Sequence, residues 1–133
     1  MTPRQHRHHR LLTGVVGAAA LSASAVPAAA AGDHPGFTSD VFPIFAEHCV
    51  ACHQPGGEGY IKSGLDMRSY DAIMKGTKYG PVIVPGDAFT SNLAVLIEDR
   101  ARPEIRMPHA RKPISRWQRV IIRRWINAGA KNN

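Results

Sequence analysis

The 133-residue chain has only two cysteines, Cys49 and Cys52, and only 7% of its residues are aromatic. Two thiols cannot staple a disulfide-rich scaffold, and a bridge between this pair would close a very short, strained loop. Runs of alternating β-branched residues are missing, so there is nothing from which to build the βαβ setting of a thioredoxin-like thiol pair. No nucleophile, paired-carboxylate or phosphate-loop signature is present, which leaves substrate turnover by this chain alone without a candidate. The arginines are not interleaved with aromatic residues in a stacking pattern, and this argues against nucleic acid as a partner. Residues 1–10 contain no acid, and residues 1–31 contain no twin-arginine pair.

The acid-free start carries Arg4, Arg7 and Arg10, and residues 11–25 that follow are small and apolar. Residues 28–31 then offer A-x-A cleavage sites. This order predicts a secretory signal peptide over residues 1–31, cut after Ala31, on the general secretion route. The alternative, a retained membrane anchor, fits less well with a span rich in Ala, Gly and Ser that contains Pro27. The expected location is periplasmic or otherwise exported, and no membrane association is expected after cleavage. Residues 32–133 remain, about 100 residues, enough for one domain with a small core.

The two cysteines stand in Cys49-Val50-Ala51-Cys52-His53, the C-x-x-C-H pattern of covalent c-type haem attachment. Thiols at this spacing can reach both vinyl groups on one edge of a haem as thioethers, and the adjacent imidazole then falls under the iron. A buried haem would also supply an apolar nucleus for the small core. Zinc is an alternative, with a Cys2His2 set drawn from Cys49, Cys52 and two of His48, His53 and His109. Adjacent His48 and Cys49 make joint ligation awkward. Thiol redox chemistry and a structural disulfide are the other readings of the pair.

A mono-haem carrier needs a second axial ligand from a distant loop, and methionine raises the potential relative to histidine. Met107 lies on a Pro-bounded loop far downstream of His53 and is the candidate. Met74 occupies an apolar helical position suited to packing, and Met67 follows the motif closely. His109 is the alternative distal ligand, and an open position is the third option. His34 and His48 read as solvated or packing residues.

Short helices joined by Gly- and Pro-rich loops are expected. Thr38 or Ser39 can cap a first helix carrying Val41, Ile44, Phe45 and His48, with Pro43 in its first turn. The Gly-rich residues 54–59 force the backbone to turn after His53. Ser69 can cap a helix that ends at Gly76, and Ser91 another that runs to about Arg100. Ser115 caps the last helix, where Trp117, Val120, Ile121, Trp125 and Ala128 fall at helical spacing and Gly129 stops it. Trp125 reads as core, near the first helix or the haem edge.

Charge is unevenly placed. Residues 32–97 sum to −3 and residues 98–133 to +7. Arg116, Arg119 and Arg123 share the exposed side of the last helix, and Arg106 and Arg111 flank Met107. An oriented docking face for an acidic redox partner is the expectation, against the plainer possibility of a solvated helix face.

The order Val41-Phe42-Pro43-Ile44-Phe45, Cys49-x-x-Cys52-His53, Gly64-Leu65-Asp66-Met67, Val84-Pro85-Gly86-Asp87, Ser91-x-Leu93, Arg106-Met107-Pro108 and Trp125-Ile126-x-Ala128-Gly129-Ala130 resembles the planctomycete-type cytochrome c domains of bacteria. The resemblance implies an all-α, small cytochrome c-like fold of three to five short helices and long loops around one covalently bound haem, working in single-electron transfer. Family members often read Met-Pro-Pro, whereas this chain has His109 after Pro108. The resulting expectation is a periplasmic mono-haem c-type cytochrome, with haem c held by Cys49, Cys52, His53 and Met107, that carries electrons between redox proteins. Its rivals are a haem sensor or peroxidase-like protein with an open distal site, and a haem subunit of a larger dehydrogenase or respiratory complex.

Overall fold

The computed structural model describes Met1 and residues 34–133; the expected signal peptide lies outside the described residues. The described residues form five α-helices joined by turns, with no strand beyond an isolated bridge between Thr77 and Gly80. The expected all-α architecture is what forms.

A wide turn of π-helical geometry, Phe37–Val41, leads into α1, Phe42–His48, and Pro43 sits in the first turn of α1, where no N–H is needed. Gly36 occupies the N-cap position of this entry. Neither Thr38 nor Ser39 caps it as expected, because the chain is already helical at both residues. Ser39 instead donates to the Asp40 carboxylate, which accepts the Gly36 N–H at 2.8 Å.

The second helix, α2 (Glu58–Ser63), follows the C-x-x-C-H turn and ends at Gly64, whose φ of 76° is readily adopted only without a side chain. Sequence reasoning saw the Gly-rich run before it as a break and missed the helix, which is short and buries none of its residues. The third helix, α3 (Tyr70–Lys75), has the expected ends: the Ser69 hydroxyl accepts the Ala72 N–H, and Gly76 terminates it.

The fourth helix, α4 (Asn92–Ile97), stops short of Arg100, because Asp99 turns the chain into left-handed geometry at φ 58°. Ser91 stands at its N-cap position but makes no cap bond. Its buried hydroxyl instead accepts the Val84 N–H at 2.8 Å and donates to the Asp87 carbonyl at 2.7 Å, which ties the preceding loop shut. The last helix, α5 (Arg116–Asn127), starts with a full capping box: Ser115 accepts the Gln118 N–H, and Gln118 accepts the Ser115 N–H.

The buried face of α5 is Ile122, Trp125 and Ile126, at the i, i+3, i+4 spacing of one helical stripe. Trp117 was expected on that apolar side and is 66% exposed instead. Trp125 is 1% exposed and centres an aromatic cluster with Phe37 (5.5 Å between centroids), Phe45 (6.4 Å) and Tyr70 (6.5 Å). Burying such rings contributes most of what a small core can gain. Their polar ends are satisfied: the Trp125 indole donates to the Lys131 carbonyl and the Tyr70 hydroxyl to the Ala130 carbonyl, both at 2.8 Å. The Phe37 and Thr38 N–H groups in turn donate to Asn133, so the last residues are laced to the entry of α1. No described helix is long and apolar enough to cross a membrane.

Candidate functional site

The site begins where α1 ends. The Cys49 N–H closes the last turn of the helix on the Phe45 carbonyl at 2.8 Å. The Cys49 carbonyl then accepts from both Cys52 (3.1 Å) and His53 (3.0 Å), which curls residues 49–53 into one tight turn. The Cys52 carbonyl takes the Tyr60 N–H of α2 at 3.0 Å, and the His53 carbonyl takes the Met67 N–H at 2.8 Å. The turn is therefore fixed from three sides.

Two glycines allow α2 to pack this closely. A Cβ on Gly57 would stand 2.3 Å from the Cys52 carbonyl oxygen, and one on Gly59 would stand 2.7 Å from His53 Cε1 and 2.9 Å from both ring nitrogens. The imidazole thus lies flat against bare backbone. Its Nδ1 is buried without a well-aligned hydrogen bond. Burial lowers the pKa of the ring, an effect the Leu65 carbonyl partly opposes, so His53 is a neutral imidazole at neutral pH, the form that ligates a metal.

Both cysteines are free thiols, Cys49 half-buried and Cys52 exposed. Burial, reinforced by the neighbouring Cys52, pushes the Cys49 thiol up to about 12. A thiol held protonated in this way is poorly suited to disulfide exchange, which runs through the thiolate. Among the described residues no three His, Cys, Asp or Glu side chains are grouped as a metal ion would need, so the zinc reading lacks its ligand set. Two thiols and a neutral imidazole packed against a glycine match what a thioether-bound haem requires.

Met107 stands on a separate loop, after a 3-10 turn at Pro103–Ile105, and its N–H is anchored to the Leu96 carbonyl of α4 at 3.0 Å. Its side chain is partly buried against the core, and His109 is exposed. Met67 is only 2% exposed and Met74 is partly buried, so both serve the core. Beside Met107, Arg106 Nη1 is buried without a partner, while the rest of its guanidinium donates to the Arg111 carbonyl and faces Asp99. Among the described residues, the two buried side-chain nitrogens without a partner thus belong to His53 and to the neighbour of Met107.

Sequence reasoning missed three contributors: Gly59, the Leu65 carbonyl and the His48–Gln118 contact. Gly59 read only as a helix breaker, and no local pattern could reveal that its missing Cβ faces an imidazole. His48 Nε2 accepts from Gln118 Nε2 at 3.0 Å, linking the residue before Cys49 to the first turn of α5.

The basic face is less free than its sequence suggests. Arg119 pairs with Asp99 and Arg123 with Glu98, which also holds Arg100. Glu98, Arg100, Arg119 and Arg123, with Arg116 and Val120, line a shallow cleft of about 230 Å³.

Among known protein families, the model described as Planctomycete cytochrome C matches residues 49–110. The match opens on Cys49, spans His53 and Met107, and leaves α1 and α5 outside it. Comparisons with curated proteins and with solved structures gave no match.

Proposed function

From the premise that residues 49–110 carry a planctomycete-type cytochrome c domain, a haem-binding electron-transfer module, we propose that this chain is an exported mono-haem c-type cytochrome that passes single electrons between redox proteins. The observation that carries the reading is the turn at residues 49–53, which carries two free thiols and a neutral imidazole seated on Gly59. Cys49 and Cys52 would hold the haem covalently, and His53 and Met107 would ligate its iron. The bound group supplies a one-electron ferric/ferrous couple.

The work of the chain is to bind, orient and shield. The hydrogen bonds to the carbonyls of residues 49, 52 and 53 keep the thiols and the imidazole in one register, so little ordering is left to be done on attachment. A thioether from Met107 favours the reduced state relative to a second imidazole, and its tether to Leu96 fixes the loop that brings it. The net positive charge after residue 97 suits an acidic partner.

Intact mass after acid extraction with organic solvent tests the reading. Haem retained on the exported chain is expected, and a chain from which all haem extracts would sink it.

A further inference from the structure

Trp117 is out of place on a helix built to bury aromatics. It sits in the first turn of α5, two-thirds exposed, although the stripe of Ile122, Trp125 and Ile126 on the same helix is fully covered. A large aromatic side chain left in water beside positive charge has the composition of a protein-docking centre. Arg111, Lys112 and Arg116 precede it closely in sequence, are exposed, and have no acidic partner among the described residues. Arg119 and Arg123, one and two turns further on, are engaged by Asp99 and Glu98. Free positive charge is therefore concentrated at the start of α5 rather than along it.

The next residue connects this spot to the 49–53 turn. In the capping box Gln118 Oε1 accepts the Ser115 N–H, so the other end of the amide, Nε2, is the donor. It faces His48 Nε2 at 3.0 Å, which makes that ring nitrogen the acceptor. His48 is bonded directly to Cys49. One hydrogen bond and a short stretch of chain thus join the exposed indole to the residue that would carry a thioether.

We propose that Trp117, preceded by the exposed cations Arg111, Lys112 and Arg116, is the docking centre for an acidic redox protein, and that the Gln118–His48 contact holds it beside the Cys49 edge of the haem. The inference rests on the haem reading above. The occupant is a protein with carboxylates around an apolar spot: the indole takes the apolar contact, and the three free cations steer and orient. A second copy of this chain would bring like charge to the same place. On docking, one electron leaves the reduced cytochrome and reduces the acceptor by one unit, with no proton transferred.

The test uses the haem-loaded chain and an acidic blue-copper protein as acceptor, copper(II) becoming copper(I). Trp117→Ser is expected to lower the second-order rate at low ionic strength at least tenfold, with Trp117→Phe recovering most of the loss. Absorption spectrum and reduction potential should stay native in both variants. Replacing Arg111, Lys112 and Arg116 together by Gln should flatten the salt dependence, and Tyr79→Ser, a change at another exposed aromatic, should match the native rate. A native rate in Trp117→Ser would overturn the proposal, as would a shifted spectrum or potential, which would place the indole on the haem itself. Loss of binding to phosphatidylglycerol vesicles with an unchanged protein-to-protein rate would also overturn it, in favour of a membrane surface. If intact mass shows no covalent haem on the native chain, the functional reading fails first and this one falls with it.

Discussion

An alanine at position 59 would press its methyl group against the His53 ring, with 2.7 Å to Cε1 and 2.9 Å to each nitrogen. The ring cannot retreat freely, because the His53 backbone is pinned through its N–H to Cys49 and through its carbonyl to Met67. Gly59→Ala should therefore cost about 1–3 kcal/mol, as overpacking does, and lower the fraction of exported chain that carries haem. Chemical denaturation and the haem-to-protein absorbance ratio check the two effects, and native values of both would show that α2 simply shifts outward. At the proposed second ligand, Met107→Ala should turn the ferric iron high-spin, or let His109 take its place and lower the potential, each ~59 mV marking a tenfold change in the equilibrium. An unchanged spectrum and potential in Met107→Ala, with both altered in His109→Ala, would move the ligand to His109.

Helix ends were the most legible elements, because caps are local chemistry. Ser69, Gly76 and the Ser115–Gln118 box can be read from residue types a few positions apart. Ser115→Ala should cost about 1 kcal/mol by urea unfolding, while its retained backbone N–H still holds the Gln118 amide that faces His48. Ser91 and Thr38 misled because the same hydroxyl-bearing residues serve loops as readily as helices, and only tertiary packing decides which. The rotation of α5 that exposes Trp117 was illegible for the same reason: several apolar stripes fit the period, and the partner helices select one.

The loop before α4 has its own acid sensitivity. The Asp87 carboxyl is held below the usual carboxylate range first by the Thr90 hydroxyl, then by the Thr90 and Phe89 N–H groups, with Arg100 adding charge attraction. With the folded-state pKa depressed, this stabilisation is complete above the unfolded value and drains away as pH falls through the folded one. Asp87→Ala should therefore be less stable than the native chain at neutral pH, and the gap should close in acid below the depressed folded-state value, where both lack the charge. Denaturant midpoints at the two pH values check it, and a gap that persists in acid would trace the loss to packing.

At the scale of the whole molecule, the helical class and the aromatic core were foreseeable, and the seam between the two ends was not. Trp125 could be assigned to a core, and Phe45 to one face of the first helix, from hydrophobicity and spacing. That the Phe37 N–H would donate to the Asn133 side chain, and the Tyr70 hydroxyl to the Ala130 carbonyl, depends on contacts across most of the chain. Charge behaved likewise: the excess of arginine was plain, but Glu98 and Asp99 turned out to engage four of the arginines internally.

That seam bears on modularity. The backbone enters the described domain and reaches its last residue at one spot, so the two ends could be spliced together and new ones opened elsewhere. The exposed turn at Lys78 and Tyr79 is a natural place to cut, lying between α3 and the loop before α4 and away from residues 49–53 in the chain. A circular permutant with Asn133 linked to Gly36 by a short Gly-Ser bridge and ends at Lys78 and Tyr79 should still attach haem and unfold in a single transition. Failure to load, in a chain otherwise folded by circular dichroism, would mean that the order of α1 and α5 along the chain matters more than where they meet. With a permutable seam, the same domain could sit inside a loop of a larger redox protein with its cofactor turn intact.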